Sequence, residues 1–364
     1  MSKKINIKNL LIETGAEQYD QSIRIINRLK STPNHPITEG AESNVQYIDM
    51  DKETLRLIPF QGSLFKPCPG TKEYICCGYQ ILNVGTNCPF NCSYCILQAY
   101  FNQPSLRVFV NLENELPKIA RLMDSQPQKI FRVGTGEFTD SLALDHITEW
   151  SRILPKFFQD RKNAVLEFKT KTDQIDGMLS NPFRDRMIVS WSLNSMRIAA
   201  NEENGAPSIK KRLEAAKKCQ EEGYVLGFHF DPLIHHARWK EEYARIVELM
   251  DQYINPKNII WMSLGCFRYI PTLKEIIRTR HPNSGILDDE FIIGLDGKQR
   301  YFKPVRIEMY TFMHDIIDKW YTNIGLYLCM ESHEVWRKSF GWSPRNNEGL
   351  AHYLDERVRL LFKG

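Results

Sequence analysis

The chain has 364 residues, 42% of them hydrophobic and 25% charged, with a net charge of +4. That length suits two ordinary domains or one barrel with extensions, and the composition excludes both a disordered chain and a membrane-embedded one. A surplus of four positive charges does not by itself mark a nucleic-acid binder, although it leaves room for a local basic surface.

Residues 1–78 read as an N-terminal extension with at least one helix near Gln18 to Leu29. Its start, MSKKINIKNLLIE, has no apolar run before a small-residue cleavage site, and nine cysteines in so long a chain do not resemble a secreted disulfide framework. A cytoplasmic protein with no membrane span is expected. The extension ends in PCPGTKEYICC, with Cys68, Cys76 and Cys77. Adjacent cysteines are awkward ligands for one metal, which favours packing or a redox role over a second cluster.

From residue 79 to 270, short strand-like runs alternate with helical segments: Tyr79 to Val84, Lys129 to Val133, Val165 to Lys171, Met187 to Leu193, Val225 to Phe230 and Asn258 to Leu264. Several are almost continuously apolar, as parallel strands covered on both faces are. The expected fold is α/β, a partial (β/α)6 TIM-type barrel with an N-terminal extension and, over 271–364, a C-terminal hairpin and helical region.

Directly after the first strand comes NCPFNCSYC, where Cys88, Cys92 and Cys95 form CxxxCxxC. Loops after the strands carry the chemistry in such barrels. An iron-sulfur cluster normally takes four thiolates, so a trio leaves one iron for a substrate or cofactor. The other readings are a structural zinc site, which favours paired CxxC knuckles and needs a fourth ligand, and merely buried thiols. The spacing, with Tyr94 before the third cysteine, resembles the radical S-adenosylmethionine (SAM) enzymes. That resemblance implies a [4Fe-4S] cluster and SAM as cofactors, with SAM bound at the open iron and cleaved to a 5′-deoxyadenosyl radical. It also implies a reductant such as flavodoxin or ferredoxin.

The second strand runs into VGTGEFTD, where glycine lets backbone approach a ligand and Glu137 can accept from an ammonium group. Radical SAM proteins bind the SAM amino group through a GE-type motif, a role that falls here on Gly136 and Glu137; an ordinary helix-start glutamate fits as well. A helix follows, capped by Asp140 or Ser141, with Leu142, Ile147, Trp150 and Leu154 as its apolar stripe. Lys171 closes the third strand, and Ser192 and Asn194 close the fourth. These three face either the SAM carboxylate and ribose or simply solvent. His229 and Asp231 end the fifth strand, better read as a satisfied pair than as metal ligands.

Ser208 to Glu222 reads as a helix with Ile209, Leu213 and Ala216 on one face and Gly223 as its cap. Its basic run, Lys210, Lys211, Arg212, Lys217 and Lys218, is more often a solvated face than a nucleic-acid site. Trp239, Tyr243, Ile246, Val247 and Met250 form a packing stripe. Cys219, and Cys329 in GLYLCM, are assigned to the core. Last, EFIIGLDGKQRYFKP reads as a β-hairpin with a type I′ turn at Asp296 and Gly297. Its second arm presents Lys298, Arg300, Tyr301, Lys303 and then Arg306, a mixture suited to phosphate contact and base stacking, or to a half-exposed strand.

The segments NCPFNCSYCILQAYFN, EFKTKTD, SWSLNSMRI, KRLEAAKKCQEEGYVLGFHFDPL and the hairpin occur in the order seen in spore photoproduct lyases, a resemblance covering roughly residues 79 to 310. It implies repair of a methylene-bridged thymine dimer in DNA: the adenosyl radical removes a hydrogen, the bridge breaks, and a hydrogen atom returns to the thymine. Cys88, Cys92 and Cys95 then hold the cluster. Glu137, Lys171, Ser192 and Asn194 orient SAM, and the arm from Lys298 to Arg306 presents the damaged strand to a monomeric enzyme.

Two departures stand out. Characterised lyases carry a cysteine hydrogen donor just after the second strand, and none lies between Phe131 and Asp145; they also have a tyrosine where Ile96 stands. Cys266, after the sixth strand, and Tyr94 are the candidate donors, although Cys266 also reads as a small buried hydrophobe. The rival readings are radical chemistry on RNA or a peptide, and a non-catalytic iron-sulfur protein that binds nucleic acid.

Overall fold

The computed structural model describes residues 5–30, 37–39 and 50–362; of the leader region, Met1 to Lys4 lie outside them. The chain forms two compact units. The first comprises residues 1–67, 79–90 and 97–187, the second 68–78, 91–96 and 188–364.

The first unit carries three parallel barrel strands, β1 (Gln80–Leu82), β2 (Phe131–Gly134) and β3 (Ala164–Thr170). Gln80 pairs with Val133, and Phe131 with Ala164. Phe65–Pro67 pairs antiparallel with the other edge of β1. Six of the seven β3 residues are buried, as expected for a strand covered on both faces. The helix after β2 is broken in two, Asp145–Thr148 and Trp150–Phe158, because Glu149 between them is left-handed (φ 53°). Leu142, Ile147, Trp150 and Leu154 are all buried, so the apolar stripe survives the break.

The extension is more than a helix. Asp20–Lys30 is helical, with Ile25 and Leu29 buried. Beside it lies a five-stranded sheet in the order Ile37–Glu39, Asn9–Ile12, Thr54–Ile58, Leu106–Phe109, Gly85–Thr86. These strands are five residues or fewer, too short for periodicity to reveal, and one of them follows the cysteine loop in sequence.

The second unit carries four more parallel strands, β4 (Met187–Ser192, its first residue counted with the first unit), β5 (Val225–Leu233), β6 (Ile259–Cys266) and β7 (Gly325–Leu328). Trp191 pairs with Phe228, Phe228 with Met262, and Met262 with Leu326. All eight residues of β6 are buried. β7 takes the GLYL of the apolar run GLYLCM; Cys329 lies just beyond it and is half-buried, so it is not the core residue expected, whereas Cys219 is fully buried. Helices Ile209–Glu221 and Trp239–Tyr253 follow β4 and β5, the first capped by Ser208 and ended at Gly223 (φ 90°). Within the basic run Arg212 is fully buried, whereas Lys210 and Lys217 pair with Glu214 and Glu221 on the exposed face.

The hairpin forms between Phe291–Ile293 and Gln299–Tyr301. Its turn differs from type I′: of Asp296 and Gly297 only Gly297 is left-handed (φ 74°). The Gly294 N–H donates to the Lys298 carbonyl at 2.7 Å, and the Gly297 N–H to the Gly294 carbonyl at 3.0 Å. A three-residue loop with a glycine bulge needs one left-handed position where type I′ needs two. Asp296 is accordingly spared that conformation and accepts from Arg300 Nη2 at 2.8 Å.

Candidate functional site

After β1 the chain runs through the short strand Gly85–Thr86 and enters the cysteine loop at Asn87, which is left-handed (φ 65°) and whose amide donates to the carbonyls of Gln103 and Ser105 at 2.9 and 2.6 Å. Lys52 Nζ donates to the carbonyls of Cys88 and Phe90. A cation thus fixes the backbone around the first cysteine, which belongs to the first unit.

Cys92 and Cys95 belong to the second unit. Asn91–Cys92 pairs antiparallel with Glu203–Asn204, and the Cys95 N–H donates to the Cys92 carbonyl at 3.2 Å. The Ser93 N–H donates to the Glu202 carbonyl at 2.8 Å; the Glu202 carboxylate accepts from the Ser93 hydroxyl and, at 2.7 Å, from that of Ser284. Arg280 Nη2 donates to Asn91 Oδ1 at 3.3 Å, while its Nη1 is buried with no hydrogen-bond partner. Arg280 is close enough to Cys95 for the two charges to interact.

Cys92 is buried, Cys88 and Cys95 are half-buried, and none of the three is in a disulfide. Thiolates that hold an iron-sulfur cluster each take a different iron, and a braced loop with three cysteines offers three such ligands.

Tyr94 is buried and its hydroxyl donates to the Glu203 carboxylate, which also pairs with the fully buried Arg212. Burial, then the Glu203 charge, holds the phenol well above its ordinary range. Arg212 Nη1 donates to the Ser192 carbonyl at 2.9 Å, which links the residue before the third cysteine to the end of β4.

In the first unit the two expected SAM motifs are locked together by Asp140. Its carboxylate accepts from the N–H groups of Leu142 and Ala143 at 3.0 and 2.9 Å, from the Thr170 hydroxyl at 2.6 Å and from the Lys171 N–H at 2.7 Å. The helix itself starts only at Asp145, with Leu144 as its uncapped N-cap, so neither Asp140 nor Ser141 is the cap expected; Asp140 instead holds the preceding turn and pins the end of β3. Gly136 sits where a Cβ would lie 2.9 Å from both Cβ and O of Lys169. Glu137 beside it is exposed, and Lys171 is half-buried.

In the second unit Ser192 and Asn194 are buried after β4. Asn194 Nδ2 donates to the Pro232 carbonyl at 2.9 Å, and its Oδ1 accepts from the Tyr243 hydroxyl at 2.6 Å and the Ser195 N–H at 3.0 Å. One N–H of that amide remains for a ligand. His229 Nδ1 is hydrogen-bonded to the Ser263 hydroxyl at 2.6 Å, and Asp231 takes a two-pronged contact from Arg268 at 3.1 and 3.3 Å. Cys266 is 2% exposed, with its sulfur 3.8 Å from that of Met309; burial pushes the thiol up to about 12.

The five residues of the hairpin arm separate. Arg300 is 2% exposed, bonded to Asp296 and to the Met330 carbonyl at 3.2 Å, with its guanidinium 4.0 Å over the Tyr74 ring. Tyr301 is buried and stacked on Phe291, and Arg306 is buried against Glu331 at 2.8 Å. Lys298 is largely covered and Lys303 is open, paired with Glu334 at 2.6 Å. Ile293 and Leu295 at the tip are 71% and 78% exposed.

Lys52, Asp140 as a lock, Glu202 and Arg280 are site residues that sequence reasoning missed. Only Asp140 carried a signal, as an Asp between a strand end and a helix.

The sequence model of the spore photoproduct lyase family matches residues 19–323. A spore photoproduct lyase of Geobacillus sp. (strain Y412MC61) is 25% identical over 286 residues, covering 76% of this chain and 81% of that protein. That of Bacillus subtilis (strain 168) is 28% identical over 210 residues, or 56% of this chain and 61% of the relative. A solved spore photoproduct lyase variant with bound AdoMet and dinucleoside spore photoproduct matches 91% of this chain and 100% of its own, with a TM-score of 0.78 at 22% identity. The fold is therefore the partial TIM-type barrel, and the chain belongs to the spore photoproduct lyase family within the radical SAM enzymes.

Proposed function

We propose that this chain is a radical SAM lyase that repairs the methylene-bridged thymine dimer in DNA. The observation that carries the reading is the braced CxxxCxxC loop directly after the first barrel strand, in a chain matched to the family over residues 19–323. Cys88, Cys92 and Cys95 hold the [4Fe-4S] cluster. Bound there, the cluster with SAM supplies the 5′-deoxyadenosyl radical. Gly136 admits the SAM amino group close to the backbone, and the exposed Glu137 accepts its ammonium hydrogens. Lys171, Ser192 and the spare N–H of Asn194 orient the carboxylate and ribose.

On the DNA side, the open Lys303 meets phosphate, and the exposed Ile293 and Leu295 wedge against the bases at the lesion. The covered Lys298, with Arg300, Tyr301 and Arg306, shapes that arm from inside. A flavodoxin- or ferredoxin-type protein delivers the electron to a monomeric enzyme. Nine free thiols and an oxygen-sensitive cluster favour the cytoplasm. Among the described residues no helix is long and apolar enough to cross a membrane.

Cys266 is the proposed hydrogen donor, with Tyr94 as the second choice. A thiol held up to about 12 stays S–H at neutral pH, and a hydrogen-atom donor needs that form. Cys266→Ala should still cleave SAM yet lose restored thymine; unchanged turnover removes Cys266 from the mechanism.

The test of the whole reading is mass-spectrometric detection of thymine after anaerobic incubation of cluster-loaded protein, reductant and SAM with DNA carrying the dimer. Restored thymine is the expected result. Release of 5′-deoxyadenosine without thymine would move the chemistry to RNA or a peptide, and absence of both would leave an iron-sulfur binding protein.

A further inference from the structure

Three cysteines of the segment 68–78, together with Cys329 after β7, take no part in the cysteine loop, and all four lie in the second unit. The Ile75 N–H donates to the Glu331 carbonyl at 3.0 Å, forming an isolated antiparallel bridge. Two residues outward on the facing backbones stand Cys77 and Cys329. The bridge is isolated, so ladder spacing does not extend to the two thiols, but they stand near enough for their charges to interact.

Met330 between bridge and thiol is left-handed (φ 54°) and bends the chain there. Arg268 then fixes where the thiol goes: its Nη2 donates to Cys329 Sγ at 3.6 Å while the same guanidinium grips Asp231. Burial, then Asp231, holds the Cys329 thiol well above its ordinary range, and Cys77 adds to this more than Cys76 does. Cys76 is otherwise engaged, since its sulfur accepts from the Thr71 N–H at 3.4 Å, inside the turn at Gly70. That leaves Cys77, the residue in register with Cys329 beyond the bridge, as its partner.

We propose that Cys77 and Cys329 are a redox-active dithiol that closes to a disulfide by exchange with a small disulfide. The half-exposed Cys77 attacks first, forming a mixed disulfide and releasing one small thiol. Cys329 then gives up its proton, attacks the Cys77 sulfur and releases the second. Two protein thiols lose two hydrogens, and the small disulfide takes them up as two thiols. The bond braces the segment under the hairpin, where the Leu295 N–H donates to the Tyr74 hydroxyl at 3.2 Å and Arg300 covers the Tyr74 ring. The disulfide does not rest on the function proposed above.

The test uses cluster-loaded protein incubated anaerobically with dithiodipyridine, followed by peptide mass mapping without reduction. The expected product links the Cys77 and Cys329 peptides, is absent from Cys77→Ser and Cys329→Ser, and persists in Cys68→Ser and Cys76→Ser. A Cys76–Cys77 or Cys68–Cys77 link, or a mixed disulfide that stays on Cys77, overturns the proposal. Hydrogen exchange supplies the second reading: the hairpin amides should exchange more slowly in the oxidised form, and equal rates overturn the brace.

Discussion

At the scale of single residues, the site depends on backbone that has been given no room or no freedom to move. Gly136 is the sharpest case, because a methyl group there would overlap both Cβ and O of Lys169 at 2.9 Å, one of them backbone and unable to swing aside. Gly136→Ala should cost about 1–3 kcal/mol as β2 and β3 part slightly. SAM affinity measured by equilibrium binding should fall at least tenfold while iron content stays near that of wild type. Full SAM affinity in the alanine variant would separate this loop from the SAM site. Arg280 supports a second prediction. Its Nη1 has no hydrogen-bond partner and its charge interacts with Cys95, so under the proposed ligation it offers positive charge to the third thiolate and favours the more negative, reduced state. Arg280→Met should shift the cluster's midpoint potential to more negative values in a spectroscopic redox titration, and an unchanged potential at full iron content would refute the pairing.

At the scale of elements, a buried carboxyl fastens the broken helix after β2. Asp145 accepts from the Ser151 N–H at 2.8 Å and from the Ser151 hydroxyl, across the left-handed Glu149. Burial outweighs those bonds and pushes the carboxyl up to about 6. The sign follows from linkage: the native state holds this proton more tightly than the unfolded chain, so stability from this group is greatest at low pH. It declines as pH rises from about 4 through 6, and is constant above. Asp145→Asn keeps an acceptor for the Ser151 N–H and removes the charge. Relative to the variant, wild type should lose about 1 kcal/mol between about pH 5 and 7.5 in urea unfolding, since one pKa unit is about 1.4 kcal/mol. An equal difference at both pH values would show that Asp145 does not titrate there.

Elements also show what the sequence made legible. All six strands expected from apolar runs exist, because a strand buried on both faces is rich in apolar residues, most clearly in β6. The extension's sheet escaped notice because Asn9–Ile12 and Leu106–Phe109 have four residues each and find their partners far along the chain. The cysteine loop was readable from local spacing alone. Its braces were not: Lys52 reaches Cys88 from 36 residues away and Arg280 reaches Asn91 from 189. Nothing in either segment announces the other.

At the scale of the whole molecule, the distinction between cations that hold the fold and cations that meet DNA decides how binding responds to salt. Arg300 and Arg306 look alike in sequence to Lys303, but each is buried against a carboxylate, Asp296 for one and Glu331 for the other. Only a charge that releases counterions from DNA contributes to the salt slope, and a buried, paired guanidinium has none to displace. Lys303→Ala should therefore weaken binding to every duplex alike and reduce the slope of log affinity against log salt by about 1. Arg300→Ala should instead leave Asp296 without its main partner, cost about 3–5 kcal/mol of stability, and leave the slope unchanged in whatever fraction stays folded. Fluorescence anisotropy with lesion-bearing duplex over a range of salt reads both quantities. A steep loss of slope in Arg300→Ala, with its unfolding midpoint unmoved, would mean that the arm opens on DNA and releases the arginine to the phosphates.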